Sequence, residues 1–211
     1  GQPIVLRRDD LLRQFAPAGR KVSEAEIEDA WSKIVLKPEV KDAIMSKLRM
    51  FVANDPAAPG GLLLYGPSGT GKTEVARRIA DSVGCHFMPL SSSDLKSKYG
   101  GGSPELVKEK WAEARARGRC VMFIDECEGV FSTRGSIESD KSSDELVREF
   151  LANWGGMDTG GQVWVVGATN HRDQIDPAVM SRFGAAVEIG LPGPDERLQI
   201  LRLEMQKFGR G

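Results

Sequence analysis

The chain has few of the residues that cross-link small proteins or bind transition metals. Its 211 residues include three cysteines and two histidines. The cysteine count is odd and no two cysteines form a C-x-x-C pair, which argues against both a disulfide framework and a zinc site. We therefore interpret Cys85, Cys120 and Cys127 as reduced thiols of a cytoplasmic protein, and His86 and His171 as structural residues.

An excess of charge of either sign is also missing. Lysine and arginine total 29, aspartate and glutamate total 30, and the net charge is -1. Nucleic-acid-binding domains usually carry a clear basic excess, so no nucleic-acid partner is expected. No apolar run approaches the roughly 18 residues of a membrane span, and the first residues lack the pattern of a secretory leader.

Apolar runs alternate with helical patterns over most of the chain. The predicted strands are residues 62–65, 86–90, 121–124, 163–166 and 185–189. Helices are predicted at about 72–83, 104–117 and 144–154. This alternation favours an α/β fold in which helices cover both faces of a parallel sheet.

Residues 1–22 have mixed character and are interpreted as an arm or linker. Ser23 and Glu26 have the spacing of a capping box, which predicts a helix that runs to about Trp31. Pro38 suits the first turn of a second helix, whose apolar residues recur with helical period.

A glycine-rich segment follows the first predicted strand and precedes a helix. It reads Gly66-Pro67-Ser68-Gly69-Thr70-Gly71-Lys72-Thr73 and matches the phosphate-loop motif G-x-x-x-x-G-K-[ST] in full. Glycines let backbone N–H groups surround a phosphate, and the next helix adds its positive N-terminus. We expect Lys72 to reach the β and γ phosphates and Thr73 to bind Mg²⁺, with Glu74 included in the nucleotide-binding set. The alternative is a glycine-rich turn that matches by chance.

Two acids, Asp125 and Glu126, directly follow the third predicted strand. Parallel strands deliver their carboxyl ends to the ligand edge of a sheet. Asp125 is therefore expected to bind Mg²⁺ through water, and Glu126 to orient or deprotonate an attacking water. The alternative is a pair of solvated loop acids.

On these motifs the chain resembles the AAA+ ATPases, and within them the AAA family proper, over roughly residues 29–207. It looks most like the branch that contains katanin, spastin, fidgetin and the vacuolar-sorting ATPases. The resemblance implies a P-loop NTPase fold with three αβα layers around a five-stranded parallel sheet. It also implies that residues 23–193 form the large nucleotide-binding subdomain and that 194–211 begin a truncated helical small subdomain.

Two further segments carry this likeness. Gly167-Ala168-Thr169-Asn170 is similar to the sensor-1 motif, in which Asn170 would help to position water and read the γ-phosphate. Asp176-Pro177-Ala178 and Arg182-Phe183 resemble the arginine-finger segment, so Arg182 would act on the site of a neighbouring subunit. Many relatives carry two arginines there, whereas this chain has Ser181-Arg182. For each residue an ordinary alternative stays open: a strand-ending asparagine, or a surface ion pair.

The resemblance also implies contacts with substrate and with adenine. Lys98-Tyr99 matches the basic–aromatic pair of pore loop 1, which grips polypeptides in the channel of a hexamer, although Tyr99 could also pack locally. Trp31-Ser32-Lys33-Ile34-Val35 resembles the segment that packs on adenine, with Ile34 and Val35 making the contact.

We therefore predict an ATPase that binds ATP and Mg²⁺ and remodels, disassembles or threads polypeptide substrates. We expect the full-length protein to form a homo-hexameric ring and the 211-residue piece by itself to be monomeric. A second hypothesis is an ATP-dependent assembly switch or scaffold with slow hydrolysis. It is motivated by the single finger, by the triple glycine 100–102, and by Asp144 and Glu145 where many relatives have arginines. A DNA-acting AAA+ protein is disfavoured by the neutral charge.

Overall fold

Five parallel strands form the centre of the structure, a computed structural model that describes residues 22–53, 55–95, 103–132, 141–154 and 163–208. The side chains of 141–143 and 207–208 are outside this description. The strands are β1 Gly61–Tyr65, β2 His86–Leu90, β3 Cys120–Ile124, β4 Val163–Thr169 and β5 Ala186–Glu188. Their order is β2-β3-β4-β1-β5, and every neighbouring pair is parallel.

Helices connect the strands and cover both faces of the sheet. They are α1 Glu24–Ser32, α2 Pro38–Val52, α3 Lys72–Ser82, α4 Pro104–Ala116, α5 Glu128–Phe131, α6 Lys141–Asn153, α7 Pro177–Phe183 and α8 Pro194–Phe208. Short 3-10 helices lie at Ser92–Asp94 and Arg172–Gln174. The αβα fold of a P-loop NTPase, predicted from the sequence, is confirmed.

Local sequence signals account for several helix starts. Ser23 and Glu26 form the predicted capping box at α1, and Pro38 is the first residue of α2. Ser103 accepts a hydrogen bond from the backbone N–H of Leu106 at the start of α4. Backbone N–H groups in the first turn of a helix have no acceptor within the helix. The two serines accept hydrogen bonds from such groups, and Pro38 has no N–H that would need an acceptor.

Side chains of the strands alternate between two apolar cores, one on each face of the sheet. Leu62 and Leu64 of β1 pack in the core that α2 and α3 cover, whereas Leu63 packs in the core beneath α4, α6 and α7. Trp111, Phe150, Trp154 and Phe183 form a chain of edge-to-face contacts in the second core. Trp164 stacks on Phe51 in the first. Burial on both faces explains why the strands read as continuous apolar runs.

β4 is longer than its sequence pattern predicts. The predicted strand ends at residue 166, but pairing with β1 continues through Leu63–Gly167 to Tyr65–Thr169. Gly167 weakens the strand pattern in the sequence because it has no side chain to pack. The longer strand carries Asn170 to the same edge of the sheet as the loop that follows Tyr65.

The sequence predicts neither a membrane span nor a disulfide. Among the described residues, no helix combines the length and the apolar character needed to cross a membrane. The three cysteines are free thiols, and Cys120 and Cys127 are buried. Burial raises the pKa of Cys120 to about 12 and that of Cys85 to about 11, which leaves both thiols protonated and unreactive near neutral pH.

Gly167 is required by the close approach of α7 to the sheet. A Cβ added there would lie 2.6 Å from the ring of Phe183 and 3.1 Å from Sγ of Cys127. We predict that Gly167→Ala lowers the free energy of unfolding by about 1–3 kcal/mol, the usual cost of overpacking a core. Urea unfolding of the nucleotide-free protein measures the change.

The matched control is Gly190→Ala, because nothing lies within 4 Å of a Cβ added at Gly190. The control should unfold within about 0.5 kcal/mol of the wild type. Equal midpoints for Gly167→Ala and Gly190→Ala would contradict the packing argument.

Candidate functional site

The candidate site lies where the carboxyl ends of β1, β3 and β4 meet. Tyr65 of β1 pairs with Thr169 of β4, and Ile124 of β3 pairs with Gly167 of β4. The residues that follow these strands, Gly66, Asp125 and Asn170, therefore emerge at one edge of the sheet. Two backbone hydrogen bonds fix the loops there: the N–H of Gly66 donates to the carbonyl of Thr169, and the N–H of Cys127 donates to that of Ala168.

The loop between β1 and α3 is shaped as an open cradle. Gly69 and Gly71 have φ angles of 75° and 84°, in the left-handed region that favours glycine. No atom lies within 4 Å of a Cβ built on either glycine. No side chain caps the N-terminus of α3, which begins at Lys72. The N–H groups of its first turn therefore remain available for an anion.

Lys72 lies at the centre of the site. The residue is 8% exposed, and its Nζ donates to the carbonyl oxygens of Gly66 and Pro67 at 3.0 and 2.8 Å and to Oδ1 of Asn170 at 2.8 Å. Burial lowers the pKa of Lys72, and the carboxylates of Asp125 and Glu128 oppose that shift. The three acceptors are neutral, so a bound anion would supply the counter-charge that this ammonium lacks in direct contact.

Thr73 and Asp125 present two oxygens side by side. The Thr73 hydroxyl donates to Oδ2 of Asp125 over 3.0 Å, which connects the first turn of α3 to the end of β3. A hydroxyl and a carboxylate are ligands suited to Mg²⁺, which is usually held by one or two protein oxygens and completed by waters and phosphates. Glu74, the next residue, is paired instead with Arg78 within α3.

Glu126 has a strained backbone. Its φ of 46° makes it the one non-glycine residue of the described chain with positive φ. Its N–H donates to Oδ1 of Asp125 at 2.9 Å, and its carbonyl accepts from the N–H of Gly129. Such strain costs about 1–3 kcal/mol and is typically retained where it orients a functional group. Glu126 is exposed.

Glu128, in α5, is a residue that the sequence motifs did not single out. Its Oε2 is buried and has no hydrogen-bond partner among the described residues. The charge of Glu128 also acts on Lys72 and raises its pKa. Only the folded arrangement places this second carboxylate near the phosphate loop.

A cavity of about 380 Å³ opens at the far end of the loop, beside Gly69 and Thr70. Its apolar lining residues are Val35, Leu36, Val40, Ile189, Leu191 and Ile200. Apolar walls of this kind suit a purine base. Of the two residues predicted to contact adenine, Val35 lines this cavity, whereas Ile34 packs against the core that α2 and α3 cover.

Arg182 lies at the opposite edge of the sheet. A Cβ added to Gly60, which precedes β1, would lie 2.5 Å from the carbonyl oxygen of Arg182. The five residues of β1, at about 3.3 Å per residue, separate this edge from the phosphate loop. The exposed Arg182 guanidinium donates to the carbonyl of Trp154 at 3.4 Å. Arg182 is therefore not brought together with Lys72 of its own chain.

The predicted pore-loop pair, Lys98 and Tyr99, lies outside the described residues. Lys72, Thr73, Asp125, Glu126 and Asn170 are brought together. These residues fit Mg²⁺ and a nucleotide on three observations: the open glycine cradle, the ammonium without a contacting counter-charge, and the adjacent Thr73 and Asp125 oxygens.

Comparison with known proteins identifies relatives for most of the chain. It is 34% identical over 174 residues to a proteasome-activating nucleotidase of Methanococcus maripaludis, which covers 81% of the chain and 43% of that protein. It is 37% identical over 147 residues to an outer mitochondrial transmembrane helix translocase of Danio rerio, and the match covers 69% of the chain and 38% of that protein. It is 33% identical over 207 residues to spastin of Xenopus laevis, and the match covers 94% of the chain and 33% of that protein. The chain thus spans less than half the length of each.

A family profile agrees with these relatives and with the motifs. The profile of the "ATPase family associated with various cellular activities (AAA)" matches residues 62–191, more than half of the chain. The matched range runs from β1 through the phosphate loop, the acidic pair and Asn170 to the residues after β5. Spastin, which the sequence resemblance named, is among the relatives. The chain belongs to the AAA family of ATPases.

Proposed function

We propose that the chain binds Mg-ATP at the carboxyl edge of its sheet and hydrolyses the bond between the β and γ phosphates. The observation that carries this proposal is the set of three hydrogen bonds from the Lys72 ammonium to neutral oxygens of Gly66, Pro67 and Asn170. A phosphate in the glycine cradle would neutralise that charge. Backbone N–H groups of the loop and the N-terminus of α3 add further positive potential.

Thr73 and Asp125 hold Mg²⁺ in this proposal, Thr73 directly and Asp125 through water. The bound ion neutralises negative charge on the β and γ phosphates. The hydrogen bond of 3.0 Å between the two side chains supports the assignment, because it sets both oxygens toward the same point. Val35 and its apolar neighbours receive adenine in the cavity beside Gly69 and Thr70.

Glu126 accepts the proton of the attacking water, and Asn170 orients that water and the γ-phosphate. The strained left-handed backbone at Glu126 and the exposure of this residue support this role, because strain of this kind is typically retained where it orients a functional group. Asn170 uses Oδ1 to hold Lys72, so its amide N–H₂ remains for phosphate or water.

Arg182 acts in trans, on the site of a neighbouring copy. The support is its position at the amino edge of the sheet, away from the phosphate loop of its own chain. A guanidinium contributed by a neighbour stabilises charge in the transition state of phosphoryl transfer. Such a site requires assembly, and a closed ring of identical subunits, here a homo-hexamer, gives every site the same neighbour.

We further propose that hydrolysis drives remodelling of polypeptides in the cytoplasm, with Lys98 and Tyr99 gripping the substrate. The relatives support this in their names: one activates the proteasome and another translocates transmembrane helices. Residues 23–193 would be the nucleotide-binding subdomain and 194–211 the start of a helical one. The exposed Leu198, Leu201 and Met205 of α8 support that division, since they are suited to pack against further helices.

The first test is Glu126→Gln, which preserves shape but removes the base. We expect the rate of ATP hydrolysis to fall by about 10²–10⁴-fold, while ATP binding stays within about twofold of wild type. Phosphate release and fluorescence-based nucleotide binding measure the two quantities. Glu105→Gln is the control, an exposed glutamate in the first turn of α4. Hydrolysis at wild-type rate in Glu126→Gln would remove Glu126 from the mechanism.

Complementation between two inactive variants tests whether Arg182 acts in trans. Lys72→Ala loses its own site, and Arg182→Ala fails to complete its neighbour's site. An equal mixture of the two should recover roughly one quarter of the wild-type ATPase activity, because that share of adjacent pairs joins an intact Lys72 to an intact Arg182. A mixture of Lys72→Ala with Glu126→Gln is the control and should recover nothing. No recovery in the first mixture would contradict action in trans.

Stimulation of ATPase activity by unfolded casein tests the remodelling role. Tyr99→Phe should keep the stimulation because it keeps the aromatic ring, and Tyr99→Ala should lose it. Equal stimulation of the two variants would contradict a grip by Tyr99. Nucleotide-dependent assembly without turnover or stimulation would instead favour the assembly switch.

A further inference from the structure

A second cavity, of about 660 Å³, opens beside the first residues of the phosphate loop. Gly66, Pro67 and Asn170 line it, and these are the three residues that accept hydrogen bonds from Lys72 Nζ. The base cavity borders Gly69 and Thr70 at the other end of the loop. The two cavities therefore flank the cradle. The second lies at the end where Lys72 meets the terminal phosphates.

Arg172 carries a positive charge in this second cavity. Its guanidinium carbon lies 4.5 Å from the ring centroid of Tyr65, the last residue of β1. A cation held over a ring keeps its N–H groups free to donate in the guanidinium plane. Within the described chain, the Arg172 guanidinium has no hydrogen bond or ion pair, although Asp173 lines the same cavity.

We propose that Arg172 binds the terminal phosphate of the nucleoside triphosphate held by its own chain. The proposal rests on the assignment of the phosphate loop given above. The ring of Tyr65 supports the guanidinium in the cavity that Pro67 and Asn170 also line, and Tyr65 adds no competing charge. The ligand class is a triphosphate, since a diphosphate lacks the group at this end of the cradle.

The proposed role of Arg172 is consistent with the presence of only one arginine, Arg182, at the Ser181-Arg182 pair of the finger segment. Ser181 stands beside Arg182, so a neighbouring chain offers one arginine from that segment. Arg172 adds a second guanidinium from the chain that binds the nucleotide. Arginine forms planar, charge-assisted hydrogen bonds with phosphate oxygens, so the replacement of Arg172 by lysine should retain only part of the interaction.

The test compares binding of a non-hydrolysable ATP analogue and of ADP, each with Mg²⁺, to the same 211-residue chain. Arg172→Gln should weaken binding of the analogue about tenfold or more, the scale of one hydrogen bond between charged groups, and change ADP binding less than about twofold. Arg172→Lys should fall between Arg172→Gln and wild type. Tyr65→Leu should lose part of the discrimination between the two nucleotides, and Tyr65→Phe should keep it.

Arg77→Gln is the matched control. Arg77 is an exposed arginine that also stacks on an aromatic ring, 4.7 Å from the centroid of Phe87, but it lines neither cavity. It should bind both nucleotides as wild type does. Thermal melting without nucleotide checks that each variant is folded.

Equal weakening of analogue and ADP in Arg172→Gln, or no weakening of either, would overturn the proposal. The proposed site itself would survive that result if Lys72→Ala still lost both nucleotides. Failure of the wild-type chain to bind either nucleotide would overturn both.

Discussion

The site depends on one electrostatic constraint: Lys72 is a largely buried residue whose ammonium donates to three neutral oxygens and has no carboxylate in contact with it. Desolvation of a cation is costly unless oxygen atoms replace its lost hydration. Here the oxygens come from the loop after β1 and from Asn170 after β4. The parallel pairing of Tyr65 with Thr169 brings these two segments together, so the register of the sheet determines the electrostatics of the site.

Packing far from the site maintains that register. Phe183 contacts the position where Gly167 would carry a Cβ, and Trp154 stacks edge-to-face on Phe183. Trp154 also donates its Nε1–H to the carbonyl of Gly60, just before β1. The same aromatic cluster thus contacts β4 near its middle and the start of β1. Because protein interiors are close-packed, a shift at this cluster is transmitted to both strands.

The sequence predicts the features that depend on local spacing. The phosphate loop, the acidic pair and the capping box at Ser23 each occupy a few consecutive residues whose geometry follows from residue type. The last three residues of β4 were not predicted, because pairing with β1, and not strand propensity, keeps residues 167–169 extended. Glu128 and Arg172 were not predicted as site residues because each is placed by a tertiary neighbour distant in sequence. Glu128 acts on Lys72, and Arg172 stacks on Tyr65.

Arg172 and Arg182 lie at opposite edges of the sheet, so in these proposals one acts within its own chain and the other acts only in an assembly. Arg172 lies at the carboxyl edge with Lys72, whereas Arg182 lies at the amino edge, with β1 between them. If both proposals hold, a single chain has the residues that give affinity for the triphosphate, whereas rapid hydrolysis requires a second chain to supply Arg182. Nucleotide would then bind before a neighbour arrives, and hydrolysis would begin only after assembly. In these two proposals both guanidinium groups contact the γ-phosphate. Its loss would then weaken the binding site and the subunit interface together, which would couple hydrolysis to rearrangement of the proposed ring.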